Sequence, residues 1–264
     1  MSLIELLVLG TVATSAGMAS LWFVATRIDN YGIVDVGWTA SFTMLAILYA
    51  AVTDAAPARA ALVLGTASIW SLRLTLYLHR RVMGHHPVED TRYQDLRRSW
   101  GRNLRFRMFW FFQAQAVAAV FFSLPFAITL LNPDSRLGLL EGLGVAIWAV
   151  GVIGEGTADR QLSRFKADPR HQGQICQVGL WRYSRHPNYF FEWIVWCGFA
   201  TIALGAPNGW LAVACPLVML YLLLGLTGIP ATEAAAVARR GDAYRRYQRT
   251  TSAFVPWYPS QERR

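Results

Sequence analysis

This sequence is short of charge. Only 16% of its 264 residues are charged while 54% are hydrophobic, against about a quarter charged in an ordinary soluble domain. That deficit excludes a chain that faces water over most of its surface. Lysine is nearly absent too, Lys166 being the one lysine among 25 basic residues. The three cysteines, Cys176, Cys197 and Cys215, fall in no metal-ligand or disulfide spacing and read as small apolar fillers. The opening MSLIELLVLG lacks the basic start and cleavage site of a signal peptide, so it reads as a first membrane span. The dinucleotide fingerprint of soluble enzymes is missing: Gly154-Glu155-Gly156 has no third glycine and follows a helix, not a strand.

What is present is a series of apolar runs, at 3–25, 32–53, 59–79, 107–131, 137–154, 188–206 and 210–229. About 20 residues cross a bilayer as helix. The runs are too long for strands and lack the alternation of a membrane barrel. The expected fold is all-α, a single polytopic domain over 1–264 with about seven transmembrane helices. The fifth run packs Gly138, Gly142, Gly151 and Gly154 into a few turns, as close helix contact in lipid favours.

Positive charge partitions sharply. Segments 79–107, 155–187 and 230–264 hold 21 of the 25 basic residues, and only Arg59 and Arg136 fall in the alternate loops. Seven spans put the three rich segments on one face, and the positive-inside rule makes it cytoplasmic. The N-terminus is then expected outside and the C-terminus in the cytoplasm. The charge alone is explained by topology and anionic headgroups, and no nucleic-acid recognition element accompanies it. The arginine fork also suits a polyphosphate ligand.

Ionisable groups at membrane depth are costly and usually functional. Asp35, Arg73 and Glu192 lie within expected spans, with Glu155 and Asp159 just beyond another. On the derived topology all fall toward the cytoplasmic side, beneath apolar outer halves. Trp70, Arg73, Tyr77 and Arg80 recur at helical spacing on one face. Arg73 needs a carboxylate or phosphate partner, and Asp35 is the natural protein candidate. Glu155 and Asp159, four apart, fit a structural ion pair as well as a ligand site.

The strongest local signal is Gly179-Leu180-Trp181-Arg182-Tyr183-Ser184-Arg185-His186-Pro187-Asn188-Tyr189, running on to Glu192. Pro187 can open the sixth span, where its missing N–H costs nothing. Arg185, His186 and Asn188 then gather near a helix N-terminus that attracts phosphate or carboxylate.

This stretch resembles the signature of the steroid 5-alpha-reductase-like family, particularly its bacterial branch of uncharacterised membrane proteins, the DUF1295 type. Other matching pieces are Asp35-Val36-Gly37-Trp38, Arg73 with Tyr77, Glu89 to Tyr93, Glu155 with Asp159 and Gln161, Gly228-Ile229-Pro230 with Glu233, and Tyr244 with Tyr247. The resemblance implies a multi-pass protein of the bacterial inner membrane that binds NADPH in its cytoplasmic half. It implies hydride transfer to a carbon–carbon double bond conjugated to a carbonyl, on a steroid-like or other lipid. Arg182, Tyr183, Arg185, His186, Asn188, Tyr189 and Glu192 would bind the cofactor, with Arg73, Asp90, Arg92, Tyr93 and Asp159 around it and Tyr244 and Tyr247 in the closing segment. Two departures stand out. The family commonly has glycine where this chain has Phe191, and the Gln–Glu pair with which animal reductases grip the substrate carbonyl has no counterpart. Asp35 and Tyr77 are the candidates for that catalytic role, Asp35 either as a buried acid or as the group that orients Tyr77.

The alternative is an S-adenosylmethionine-dependent methyltransferase of the isoprenylcysteine or phospholipid type, which shares an Arg-His-Pro-x-Tyr element. A transport protein would need polar residues through the whole membrane, which the outer halves lack. A metal site at His85, His86, Glu89 and Asp90 is not expected, because adjacent histidines point apart on a regular element. The expected partners are a lipophilic small molecule and membrane lipid, with no nucleic acid and no metal, and the chain is expected to act as a monomer.

Overall fold

Helix α1 (Leu3–Ile28) begins where the sequence caps it. Ser2 Oγ accepts from the Glu5 N–H at 3.3 Å while Glu5 Oε2 accepts from the Ser2 N–H at 2.9 Å, so two orphan donors are satisfied reciprocally. The helix stops at Asp29, whose φ of 51° is left-handed. The computed structural model describes residues 1–84, 86–226 and 228–260. Further along come α2 (Ile33–Val52), α3 (Pro57–Gly84), the short polar α4 (Thr91–Trp100), α5 (Leu104–Phe122), α6 (Leu124–Leu130), α7 (Leu139–Ala167), α8 (Pro187–Ala203), α9 (Ala214–Tyr221), α10 (Ile229–Arg240) and α11 (Asp242–Thr250). Pro125 has no N–H to give the preceding turn, which separates α6 from α5. A π-helical segment, Leu222–Leu226, follows α9.

Among the described residues no strand is present, and Ser184 and Ser252 make an isolated parallel bridge. Six helical stretches are long and apolar enough to cross a membrane: Leu3–Ile28, Ile33–Val52, Pro57–Gly84, Thr91–Leu130, Leu139–Ala167 and Gly209–Arg240. Their apolar faces are not used up internally. In α1 only 17% of the apolar window is buried, and Ile4, Val8 and Val12 form an exposed stripe along it. Ile69, Leu72 and Leu76 do the same on α3. Surface of this kind calls for lipid, so the chain is an integral membrane protein. The expected span at 188–206 corresponds to α8, which at 17 residues is shorter than these six.

Helix extends further than the sequence expectation, for one physical reason. Helix α3 continues to Gly84, α7 runs to Ala167, and α4, α10 and α11 occupy segments expected as loop or tail. Hydropathy marks where a helix leaves lipid, whereas hydrogen bonding and capping decide where it ends. Asp90 caps α4 by accepting from the Arg92 N–H at 3.3 Å, and Gly101, with φ of 48°, closes it.

The described residues group into two compact units, Met1–Leu139 with Ala203–Leu211, and Leu140–Ile202 with Ala212 onward. The first has an aromatic core in which Phe42 packs on Trp38 at 4.9 Å and on Trp70 at 5.2 Å. Arg59, expected in an exposed outer loop, is instead 1% exposed in the first turn of α3. It donates to the carbonyls of Asp134 and Arg136, each at 2.7 Å, so a buried guanidinium caps the turn before α7.

The second unit rests on close packing of α7 against α8. A Cβ on Gly144 would meet Ile202 N at 2.6 Å, one on Gly151 would meet Val195 N at 2.7 Å, and one on Gly198 would meet Trp148 N at 2.6 Å. Backbone thus lies on backbone, the geometry small residues permit in lipid. Of the four expected glycines, Gly151 and Gly154 serve this contact and Gly142 faces open space.

Candidate functional site

The sequence-predicted residues form two clusters, one in each unit. In the first, α2 opens at Ile33 and carries Asp35 in its first turn. Asp35 Oδ1 accepts from Arg92 Nη2 at 2.9 Å and from the Tyr93 hydroxyl at 2.8 Å. Tyr93 is 1% exposed, and its hydroxyl also receives a hydrogen bond from Arg92. Arg92 lies over the Tyr93 ring as well, 4.8 Å from its centroid. Asp35 Oδ2 takes no hydrogen bond from any described residue. One carboxylate is therefore divided into a held oxygen and an open one. The sequence offers Asp35 as the carboxylate for Arg73 and Tyr77 as the phenol beside it; the guanidinium and phenol bonded to Asp35 are instead those of Arg92 and Tyr93. Tyr77 stands one turn before Arg81 on α3, and both Tyr77 and Asp35 lie within electrostatic reach of Arg81.

Asp90, predicted as a cofactor residue, pairs with Arg81 and caps α4. Burial pushes its carboxyl up, but Arg81 beside it and the Arg92 N–H outweigh that and leave it below the usual carboxylate range. A neighbouring clamp was not anticipated. Glu89, 7% exposed, accepts from the Tyr31 N–H and from Arg97 Nε at 2.7 Å, while Arg97 Nη1 reaches Asp29 Oδ1 at 2.9 Å. It ties the α1–α2 turn to α4. In the sequence Arg97 is one arginine among many, and nothing in its spacing marks it.

The second cluster is the Gly179–Glu192 stretch. Gly179, with φ of 57°, lets the chain pass Gln161 so closely that a Cβ would lie 2.3 Å from its Nε2. Gln161 Oε1 then accepts from the Leu180 N–H at 2.9 Å, and the Trp181 indole donates to the Ala158 carbonyl at 2.9 Å. Pro187 starts α8, as the sequence requires.

Arg185 and His186 are turned inward. Arg185 Nε donates to Glu233 Oε1 at 2.6 Å, and its Nη1 reaches the carbonyls of Gln248 (3.0 Å) and Thr251. His186 Nε2 lies 3.2 Å from Glu233 Oε1, and Gln248 Nε2 donates to Glu233 Oε2 at 2.7 Å. The His186 ring stacks on Tyr189, whose hydroxyl meets Thr232 Oγ1 at 3.3 Å. Both residues are spent on the chain's own carboxylate. Tyr244 and Tyr247 are buried under α10, and Tyr247 donates to the Trp181 and Ser184 carbonyls. Burial pushes the Tyr244 phenol up to about 12 and raises Tyr247 as well, so both stay protonated at neutral pH.

What remains open for a ligand is a smaller set. The side chains of Arg182, exposed, and of Tyr183 and Asn188, half-buried, make no hydrogen bond or ion pair to a described residue. Glu192 Oε1 accepts from the Trp196 indole at 2.9 Å. Asp159, buried at 4% exposure, sits within α7 and Arg73, half-buried, within α3; both are engaged by interactions of their own and do not belong to this open set. Phe191, where relatives of the resembled family commonly have glycine, lays its ring on Gly154 of α7, whose Cβ would come within 2.3 Å of it. The ring is absorbed by the helix interface.

His85 of the discounted metal motif lies outside the described residues. No group of three or more His, Cys, Asp or Glu among the described residues is placed to hold a metal ion.

Fold and site together define a polytopic helical membrane protein with ordered polar clusters at the ends of its spans. The family model described as "Protein of unknown function (DUF1295)" matches residues 21–251, and the chain belongs to that family. A relative in Schizosaccharomyces pombe, "Uncharacterized protein C594.04c", is 24% identical over 269 residues, covering 89% of this chain and 75% of the relative. No solved structure matches the chain significantly.

Proposed function

We propose that this chain is a membrane-embedded, NADPH-dependent reductase of the steroid 5-alpha-reductase-like type, acting on a carbon–carbon double bond conjugated to a carbonyl in a lipophilic substrate. The observation that carries the reading is the divided carboxylate of Asp35, anchored by Arg92 and Tyr93 through Oδ1 and open at Oδ2. With α8 counted as a span, 17 residues being the short end of what crosses a bilayer, there are seven. The positive-inside rule then places the N-terminus outside and the C-terminus in the cytoplasm, in a bacterial inner membrane.

The donor set of the motif fits a phosphorylated nucleotide through Arg182, Tyr183 and Asn188, whose hydrogen-bonding capacity the fold leaves uncommitted. Arg182 would face phosphate, and Tyr183 and Asn188 the amide or ribose. Arg185 and His186 do not fit a direct role, being bonded to Glu233; they hold the motif in place. When bound, the cofactor supplies the hydride. Negative charge then develops on the substrate carbonyl oxygen, and a preoriented donor there stabilises the transition state more than the ground state. We assign the donor to Tyr77 and give Asp35, ion-paired with Arg92, the task of orienting it. Arg92 and Tyr93 fix the carboxylate so that little reorganisation is needed.

Asp35→Asn tests this. NADPH oxidation is followed against a panel of steroid, isoprenoid and fatty enones. The variant is expected to lose about 100-fold in kcat, with its KM for NADPH unchanged. Full turnover by Asp35→Asn removes Asp35 from the reaction.

One observation favours the S-adenosylmethionine-dependent methyltransferase instead. With Arg185 spent on Glu233, Arg182 is the one guanidinium of the motif uncommitted to described residues, and a cofactor without phosphate needs no more.

A further inference from the structure

The C-terminal segment carries arginines and rings to which neither reading gives a part, although Tyr258 packs edge-on on the Tyr183 ring at 5.8 Å. Helix α11 buries Tyr244 and Tyr247 against Ala236 and Val237 of α10, which leaves Arg245, Arg246 and Arg249 on its exposed face. Beyond α11 the chain runs alongside Tyr183–Arg185. The Arg185 N–H donates to the Ser252 carbonyl at 2.8 Å and the Trp257 N–H to the Tyr183 carbonyl at 2.9 Å. Tyr183–Arg185 are separated only by His186 from Pro187, where α8 begins. Phe254 also packs on Phe190 at 5.5 Å and on Trp193 at 6.0 Å, in the first two turns of α8. The segment is thereby fixed at the level where α8 passes from polar chain into apolar helix.

At that level Arg249, Thr251, Ser252, Trp257, Tyr258 and Ser260 line a shallow cleft of about 300 Å³. Trp257 is 70% exposed and Tyr258 80%. Rings left bare in this way are costly in water, yet Trp and Tyr favour the headgroup layer of a membrane, where one end of the ring is apolar and the other wet. A guanidinium among hydroxyls suits a phosphodiester. The surrounding arginines of α10 and α11 give the surface the sign that an anionic leaflet attracts.

We propose that this cleft binds the headgroup of an anionic phospholipid of the membrane the chain spans. Phosphate meets Arg249 and the Ser252 hydroxyl, Ser260 Oγ being bonded to the Arg249 and Thr250 carbonyls, while Trp257 and Tyr258 lie against the glycerol and ester region. The aromatic rim is what distinguishes a lipid from free phosphate. The site depends on the membrane-spanning fold and not on the reductase reading.

The test uses the full-length protein, titrated with phosphatidylglycerol or phosphatidylcholine of the same chains and read by native mass spectrometry. Phosphatidylglycerol is expected to bind more tightly. Arg249→Gln should weaken it about fivefold, the order expected for one arginine at an anionic surface, without changing phosphatidylcholine. Trp257→Ser/Tyr258→Ser, at two exposed positions, should weaken retention of both lipids and decides the matter if Arg249→Gln unfolds. Equal retention of the two lipids by the unaltered protein overturns the proposal. So does lipid retention unchanged in the folded variants, or displacement of phosphatidylglycerol by inorganic phosphate or NADPH.

Discussion

Glu233→Ala is expected to cost about 3–5 kcal/mol of stability, the usual loss when one partner of a buried ion pair is removed. The Arg185 side chain is 9% exposed and that of His186 is 5% exposed, and Glu233 serves both. Its removal leaves the guanidinium with two backbone carbonyls and no counter-charge, and strands the Gln248 amide. Because Arg185 also joins α8's approach to Gln248 and Thr251, loosening should extend to the C-terminal segment. Thermal unfolding in detergent, with amide hydrogen exchange over 242–258, reads both effects. The paired variant Arg185→Met/Glu233→Leu separates a buried charge from lost packing. It should lose clearly less than the sum of its single changes, since the two groups interact. Additive losses would show that the pair is not coupled.

Gly198→Leu is expected to act on the helix packing itself. A Cβ at this position stands 2.6 Å from Trp148 N and 2.7 Å from Trp148 Cα. Main chain cannot move aside as a side-chain tip does, so α7 and α8 must separate, losing the contacts at Gly144 and Gly151 as well. Overpacking usually costs 1–3 kcal/mol, and roughly the top of that range or beyond is expected where backbone is the obstacle. Yield of monodisperse protein after detergent extraction should fall severely. Gly142→Leu, on the facing helix α7 but with open space around its Cβ, should extract normally and serves as the control. Equal behaviour of the two variants would contradict the packing.

These two residues also show what the sequence could and could not disclose. The spans were legible because lipid exposure demands long apolar runs, and Pro187 was legible as a helix start because the ring dictates it. Glycine crowding in α7 was visible as a tendency, but which glycines face α8 depends on a helical register that hydropathy does not record. Helix α7 continues thirteen residues past the apolar run, to Ala167, because backbone hydrogen bonding does not stop where hydropathy does. Asp35 was legible as a costly acid. Its partner was not: Arg92 and Tyr93 lie about sixty residues downstream on a helix that reads as loop. The environment of Arg185 was not legible either. In sequence it is a cation beside a helix start, and only tertiary structure brings Glu233, 48 residues later, to within 2.6 Å of it.

The central claim is that the uncommitted donors of the motif grip a phosphorylated nicotinamide nucleotide. The direct measurement is the melting temperature of the purified protein in lipid nanodiscs, titrated with NADPH, NADH and S-adenosylmethionine. A ligand that binds the native state raises that temperature in proportion to the logarithm of its excess over Kd. The account predicts a rise with NADPH, a smaller one with NADH, and loss of most of the NADPH effect in Arg182→Ala. A rise with S-adenosylmethionine and none with NADPH would contradict it.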